Sequence, residues 1–194
     1  MKKTIIITAL IASVAMLSFK STEPSTYSMD RAHSKLAFIV THLLISDVEG
    51  NFKIVDSKIT ATKEDLSDAV IELSADVNSI NTDNEQRDTH LKSPDFFDAA
   101  KFSTINFKSK SFTKVEGKKY KLTGDLTMHN VTKEVVLDVV MNGPVVHPMT
   151  KKTIVAFKIT GTIKRSDFKI GATMPESIVS DEVRINTSTE FVKN

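Results

Sequence analysis

The side chains best suited to acid–base or metal chemistry are the five histidines, His33, His42, His90, His129 and His147, and the chain has no cysteine. None of the histidines forms H-x-H or H-E-x-x-H. The missing cysteines remove thiolate ligands, disulfides and thiol nucleophiles together. His33 follows Asp30 by three residues, a spacing suited to a local hydrogen bond. His42 ends an otherwise apolar alternation, where an imidazole needs a polar partner. There is no G-x-S-x-G nucleophile elbow and no glycine-rich phosphate loop, the six glycines being scattered over turns. The densest polar cluster is Arg87-Asp88-Thr89-His90. Arg87 and His90 could act on a small apolar substrate, or they could tie down the segment that carries them. The second reading suits the surroundings better. The expectation is no catalytic residue, no metal site and no cofactor.

That cluster lies in the stretch from Asn78 to Asp98, NSINTDNEQRDTHLKSPDFFD, which reads as helix in a chain that otherwise reads as strand. Thr82-Asp83-Asn84-Glu85 matches a T-x-x-E capping box and predicts a helix start near Asp83. Arg87, His90 and Leu91 follow at i, i+3 and i+4, so they share one face. Ser93-Pro94 ends the helix, and a second turn carries Phe96 and Phe97. The whole is a short helical excursion over about residues 83–97.

The elements around it alternate with period two, as half-buried strands do. Strands are predicted at Ser34–Leu44, Phe52–Thr60, Ala69–Val77, Ile105–Lys114, Lys119–Met128, Val131–Met141, Ile154–Arg165 and Val183–Val192. Turns are placed at Asp47–Asn51 with Gly50, at Glu116-Gly117 and at His129-Asn130. Asn142-Gly143-Pro144 is read as a break into a loop. Eight or so strands joined mostly by short turns favour an all-β, antiparallel up-and-down barrel, with a two-sheet sandwich as the runner-up. An interior of that size is filled by side chains or holds one small ligand. Eleven phenylalanines, two tyrosines and no tryptophan offer apolar area with few polar handles, suited to a packed core or a long apolar ligand.

Met1-Lys2-Lys3 followed by the apolar run Thr4–Leu17 reads as a signal peptide over residues 1–20, too short to span a bilayer. A polar linker is read over 21–28 and the barrel domain over 29–194. The expected location is exported, periplasmic or secreted, with no stable membrane span in the mature chain. Setting Lys2, Lys3 and Lys20 apart from the 26 basic residues leaves 23 against 24 acidic ones, so no nucleic-acid partner is expected.

Several segments, in order, resemble the YceI-like family of secreted lipid- or polyisoprenoid-binding proteins. They are Asp30-x-x-His33-Ser34 with Phe38 and His42, Gly50-x-Phe52, Asn78-Ser79-Ile80-x-Thr82, and Arg87-Asp88-x-His90-Leu91-Lys92 with Asp95-Phe96-Phe97. Gly124-x-Leu126-Thr127, Val131-Thr132-Lys133 and Arg165-Ser166-Asp167-Phe168 follow. The resemblance runs from about Tyr27 to Phe191. It departs at Asn130 and at Lys169, where the family commonly has glycine. It implies a lipocalin-like barrel whose elongated pocket takes an isoprenoid chain such as a quinone tail, without catalysis. Phe38, Val40, His42, Leu73, Val77, Phe107, Leu126, Leu137 and Phe157 are then expected to line the pocket. Arg87, His90, Phe96 and Phe97 are expected to anchor or gate it. The expected partner is an isoprenoid-type lipid, and a homodimer stays open. The alternatives are an interaction or stress-response module with a filled core, and a small-substrate enzyme at Arg87 and His90.

Overall fold

The computed structural model describes residues 23–194, and the segment read as a signal peptide lies outside them. The alternating stretches form ten strands there: β1 (Ser25–His42), β2 (Ser46–Phe52), β3 (Val55–Ala61), β4 (Val70–Asp76), β5 (Ile80–Asn81), β6 (Thr104–Glu116), β7 (Lys119–Met128), β8 (Val131–Val146), β9 (Thr153–Lys164) and β10 (Glu182–Lys193). The helix α1 spans Glu85–Lys92. Eight strands close into an antiparallel barrel in the order β10-β9-β8-β7-β6-β4-β3-β1, with β1 pairing back onto β10. This is the expected eight-stranded barrel with its short helix, and closure leaves the ring without open edges.

β1 divides one of its edges between two partners. Ser25–Ser28 pair with β3 and Leu36–His42 pair with β2, while β10 runs along the other edge. Ser25–Ser28, read as linker, are therefore strand. The first turn also differs from expectation. It lies at Leu43–Ile45, and the predicted turn residues Asp47–Asn51 sit inside β2. Gly50 drew that prediction, but it is needed for space. The Phe38 ring lies across it, and a Cβ there would overlap the ring. Asn142-Gly143-Pro144 does not end β8. The register shifts between Asn142 and Val145 and pairing with β9 resumes, which is a bulge. His129 and Asn130, at φ 50° and 57°, make the tight turn that was expected.

One end of the barrel is solid. Phe112 stacks on Tyr120 at 4.5 Å and on Phe157 at 5.4 Å, and Phe157 meets Phe191 at 5.5 Å. Tyr27, Ile59, Leu66, Leu122, Val139 and Val155 fill the space around these rings. A second buried group, including Phe52, Val55, Val77, Ile80, Phe96, Ile105 and Phe168, gathers the excursion and the loop after β9 against the barrel. The outward faces carry charges in cross-strand register. Glu72 bridges Lys58 at 2.8 Å and Lys108 at 3.2 Å, and Lys110 bridges Asp125 at 2.6 Å and Glu134 at 3.1 Å. Exposed pairs of this kind fix register more than they stabilise. No helix among the described residues is long and apolar enough to cross a membrane.

Candidate functional site

Above the solid end the barrel is hollow. A cavity of about 400 Å³ runs from Phe157 and Phe191 to His42, His90, Met174 and Ile178. Its size is that of an ordinary small-molecule site. Register places its far end: Ile39 of β1 pairs with Arg184 at the start of β10, so His42 and Val183 lie at the same end of the barrel. That end is bordered by the Leu43–Ile45 turn, the excursion, and the loop Arg165–Asp181. Eight of the nine predicted lining residues are in the wall: Phe38, Val40, His42, Leu73, Phe107, Leu126, Leu137 and Phe157. Val77 is not. β4 ends at Asp76, whose carboxylate accepts from the Asn78 N–H at 2.8 Å, and the chain turns into a 3₁₀ segment at Val77–Ser79. The period-two alternation fails there, and Val77 is buried in the second group instead.

Three glycines explain why the upper barrel stays open. A Cβ on Gly50 would overlap the Phe38 ring, one on Gly124 would meet the Phe107 ring at 2.5 Å, and one on Gly161 would meet Leu137 at 2.5 Å. Each large side chain thus folds down onto a neighbouring strand where no side chain stands. It covers the wall and leaves the axis free.

The excursion is held differently from its predicted capping box. The N-cap is Asn84, whose side chain accepts from the Arg87 N–H at 2.9 Å. Thr82 lies outside the helix and is buried. Its N–H and its hydroxyl both donate to Asp88 Oδ1, at 2.9 and 2.6 Å, while Arg87 Nε donates to its Oγ1 at 2.8 Å and Arg87 Nη2 to its carbonyl at 2.7 Å. His90 is half exposed, with Nε2 3.5 Å from an Asp95 carboxylate oxygen and its ring edge-on to Phe96 at 5.0 Å. Arg87 and His90 line the cavity mouth with separate partners and form no acid–base pair. Asp88, nearly buried, is the residue that sequence reasoning undervalued. Phe96 is buried, and Phe97 packs edge-on against Phe52 at 6.0 Å.

Arg165 was also missed, beyond its place in the R-S-D-F segment. It is 6% exposed, and its guanidinium donates to the carbonyls of Ser180 (3.2 Å), Ile170 (3.2 Å), Met174 (2.7 Å), Val179 (3.1 Å) and Gly171. One planar cation thereby organises the loop that supplies Ile170, Met174, Ile178 and Val179 to the mouth. Lys169 takes the left-handed conformation, φ 60°, where the family commonly has glycine, and the loop is closed nonetheless.

Outside the cavity, His33 Nδ1 lies 2.8 Å from Asp30 Oδ2, as the i, i+3 spacing suggests. Glu190 joins them, and one ligating atom from each lies within 4.8 Å of the others. The hydrogen bond to Asp30 raises the His33 pKa, and Glu190 adds to it. The same hydrogen bond, with the Ala32 N–H, lowers that of Asp30.

Comparison with known proteins agrees with this architecture. The YceI-like domain family model matches residues 27–191. A UPF0312 protein of Staphylococcus aureus is 34% identical over 171 residues, covering 86% of this chain and 97% of that protein. The crystal structure of a Campylobacter jejuni YceI protein superposes with a TM-score of 0.72 at 34% identity, covering 79% of this chain and 90% of that one. A polyisoprenoid binding domain from Saccharophagus degradans, implicated in plant cell wall breakdown, has the same fold. Its TM-score is 0.64 at 17% identity, over 87% of this chain and 98% of that one.

Proposed function

The chain belongs to the YceI-like family, and from that premise we propose that it binds an isoprenoid-type lipid in the barrel and carries or stores it, without catalysis. The observation that carries this reading is the cavity: closed at one end by stacked aromatic rings, open at the other, and walled by aliphatic and aromatic side chains. Such a wall recognises length and apolarity. It supplies ~25 cal/mol per Å² of apolar surface removed from water, less the cost of ordering the chain. The polyisoprenoid-binding domain that shares the fold lends support to the isoprenoid class. The basic and apolar first residues, read as a signal peptide, favour an envelope or extracellular site of action.

Arg87, His90, Phe96 and Phe97 act here as anchor and gate of the mouth. Lipid binding is then expected to slow amide exchange across α1. The direct test is organic extraction of the purified protein followed by mass spectrometry. A stoichiometric isoprenoid, or uptake of one on addition, is the expected result. If no lipid is present and none binds, the carrier reading fails.

A further inference from the structure

The turn between β1 and β2 places three large aliphatic residues in succession in solvent. Leu43 is 49% exposed, Leu44 69% and Ile45 83%, and Ile178 beside them is 40% exposed. Leu43 and Leu44 also adopt φ 51° and 62°, a conformation that asparagine or glycine would take with less strain. An exposed apolar run and a strained backbone are two independent costs at one spot. The left-handed pair turns the β1–β2 hairpin, but leucines at these positions bring a cost that the turn itself does not require, and such coincidences mark functional surfaces.

The tip is held firmly. The Leu43 N–H donates to the Ile178 carbonyl at 3.0 Å, and the Ser180 N–H donates to the Thr41 carbonyl at 2.9 Å. His42 pairs with Val179, so the tip is joined to the loop that Arg165 organises. His42, Ile178 and Val179 line the cavity. The exposed patch is therefore continuous with the cavity mouth.

We infer that the Leu43–Ile45 turn and Ile178 form a docking surface for the bilayer, set at the mouth so that an apolar ligand passes between membrane and barrel without crossing water. This rests on the lipid-binding reading above and adds where loading occurs. A lipid surface is the occupant the patch fits. Four side chains fall well short of the roughly 20–30 residues a side of a stable protein interface. A few inserted aliphatic groups give the weak, reversible membrane attachment a carrier needs. The tip itself carries no charge, and neighbouring Asp47 is already paired with Arg184 at 2.5 Å. Attachment is thus expected to depend on apolar insertion and to change little with salt.

The test is co-sedimentation of the purified protein with sucrose-loaded phosphatidylcholine vesicles at low and high salt. The double variant Leu44→Asp/Ile45→Asp is compared with Met149→Asp, which places an aspartate on an exposed apolar residue of the β8–β9 turn at the opposite end of the barrel. Both variants are checked for an unchanged melting temperature. The expected result is vesicle binding that salt leaves within about two-fold, lost at least ten-fold in the double variant and kept in Met149→Asp. Three results would each overturn the inference: no vesicle binding by the unaltered protein, equal loss in both variants, or a double variant that binds vesicles normally. Conversion of a dimer to a monomer by the double variant, without vesicle binding, would overturn it in favour of a second copy. Uptake of retinol, a fluorescent isoprenoid, from cyclodextrin is measured in parallel. Its survival in the double variant separates failure of docking from failure of the cavity.

Discussion

At the floor of the barrel Phe112, Tyr120, Phe157 and Phe191 meet ring to ring. Toward the mouth Phe38, Val40, Leu137 and Ile185, on strands of the same alternation, stand half-buried around a cavity. The floor is the more aromatic, but both regions turn phenylalanine and aliphatic side chains inward. What differs is where the large side chains can lie. At the floor every ring has a side chain opposite it, Leu122 beside Phe112, Val139 beside Tyr120, Met141 and Thr189 beside Phe157 and Val155 beside Phe191, and the rings meet one another. Above it, Gly50, Gly124 and Gly161 give Phe38, Phe107 and Leu137 room to lie against the wall. A hollow interior here is a property of side-chain pairs across strands.

The largest way to strain that comparison is Phe157→Ala. Phe157 is fully buried at the floor, and its truncation is expected to cost about 3–5 kcal/mol by denaturant unfolding. Phe38→Ala, at the wall, is expected to cost about 1–2 kcal/mol because less area and fewer contacts are lost. Equal costs would mean that the two regions pack alike. Next comes Arg165→Ala, which strips five loop carbonyls of a common donor and is expected to cost about 2–3 kcal/mol. Arg165→Lys should recover little of it, since an ammonium cannot span that set. Amide exchange should locate the damage in residues 165–181. Full recovery by lysine would show that charge alone holds the loop.

Gly50→Ala tests the wall directly. The added methyl is expected to push the Phe38 ring off the wall and toward the axis, costing about 1–3 kcal/mol and reducing the lipid recovered per protein. Unchanged lipid content would mean that the glycine is not what keeps the barrel open.

The smallest effect lies outside the cavity, at Asp30 and His33. The raised His33 pKa means its contribution to stability is complete below the usual imidazole value and is lost as pH rises through the raised one. The lowered Asp30 pKa means its contribution holds above the usual carboxylate value and is lost as pH falls through the lowered one. Together they favour the interval between the usual carboxylate and imidazole values. An NMR titration should find the His33 midpoint above 6.5 and Asp30→Asn should bring it back toward that value. A midpoint at 6.5 in the unaltered protein would remove the pair from the account.

Much of this was legible along the chain. β4 and β7 to β9 show their inward faces in the sequence, because a strand with one wet side must alternate. The misreadings share a physical origin. Gly50 and Asn142-Gly143-Pro144 have the local tendencies of chain breaks. The structure uses the glycine for a cross-strand ring and the triplet for a bulge. Thr82 fitted a capping box, but its hydroxyl goes to Asp88 and Asn84 caps the helix. Arg165 stood in a recognisable segment whose spacing could not reveal that five carbonyls converge on it.

The strand pattern, the helical excursion, the family and most of the residues that face inward are readable along the chain. Each of these follows from backbone geometry repeated over a few residues, or from an ordered set of short segments. That the interior is hollow toward one end and solid at the other emerges with the folded barrel. It alone joined the Leu43–Ile45 turn to the mouth. Volume and continuity of surface depend on which side chains from distant strands meet, and closure of the barrel sets those meetings.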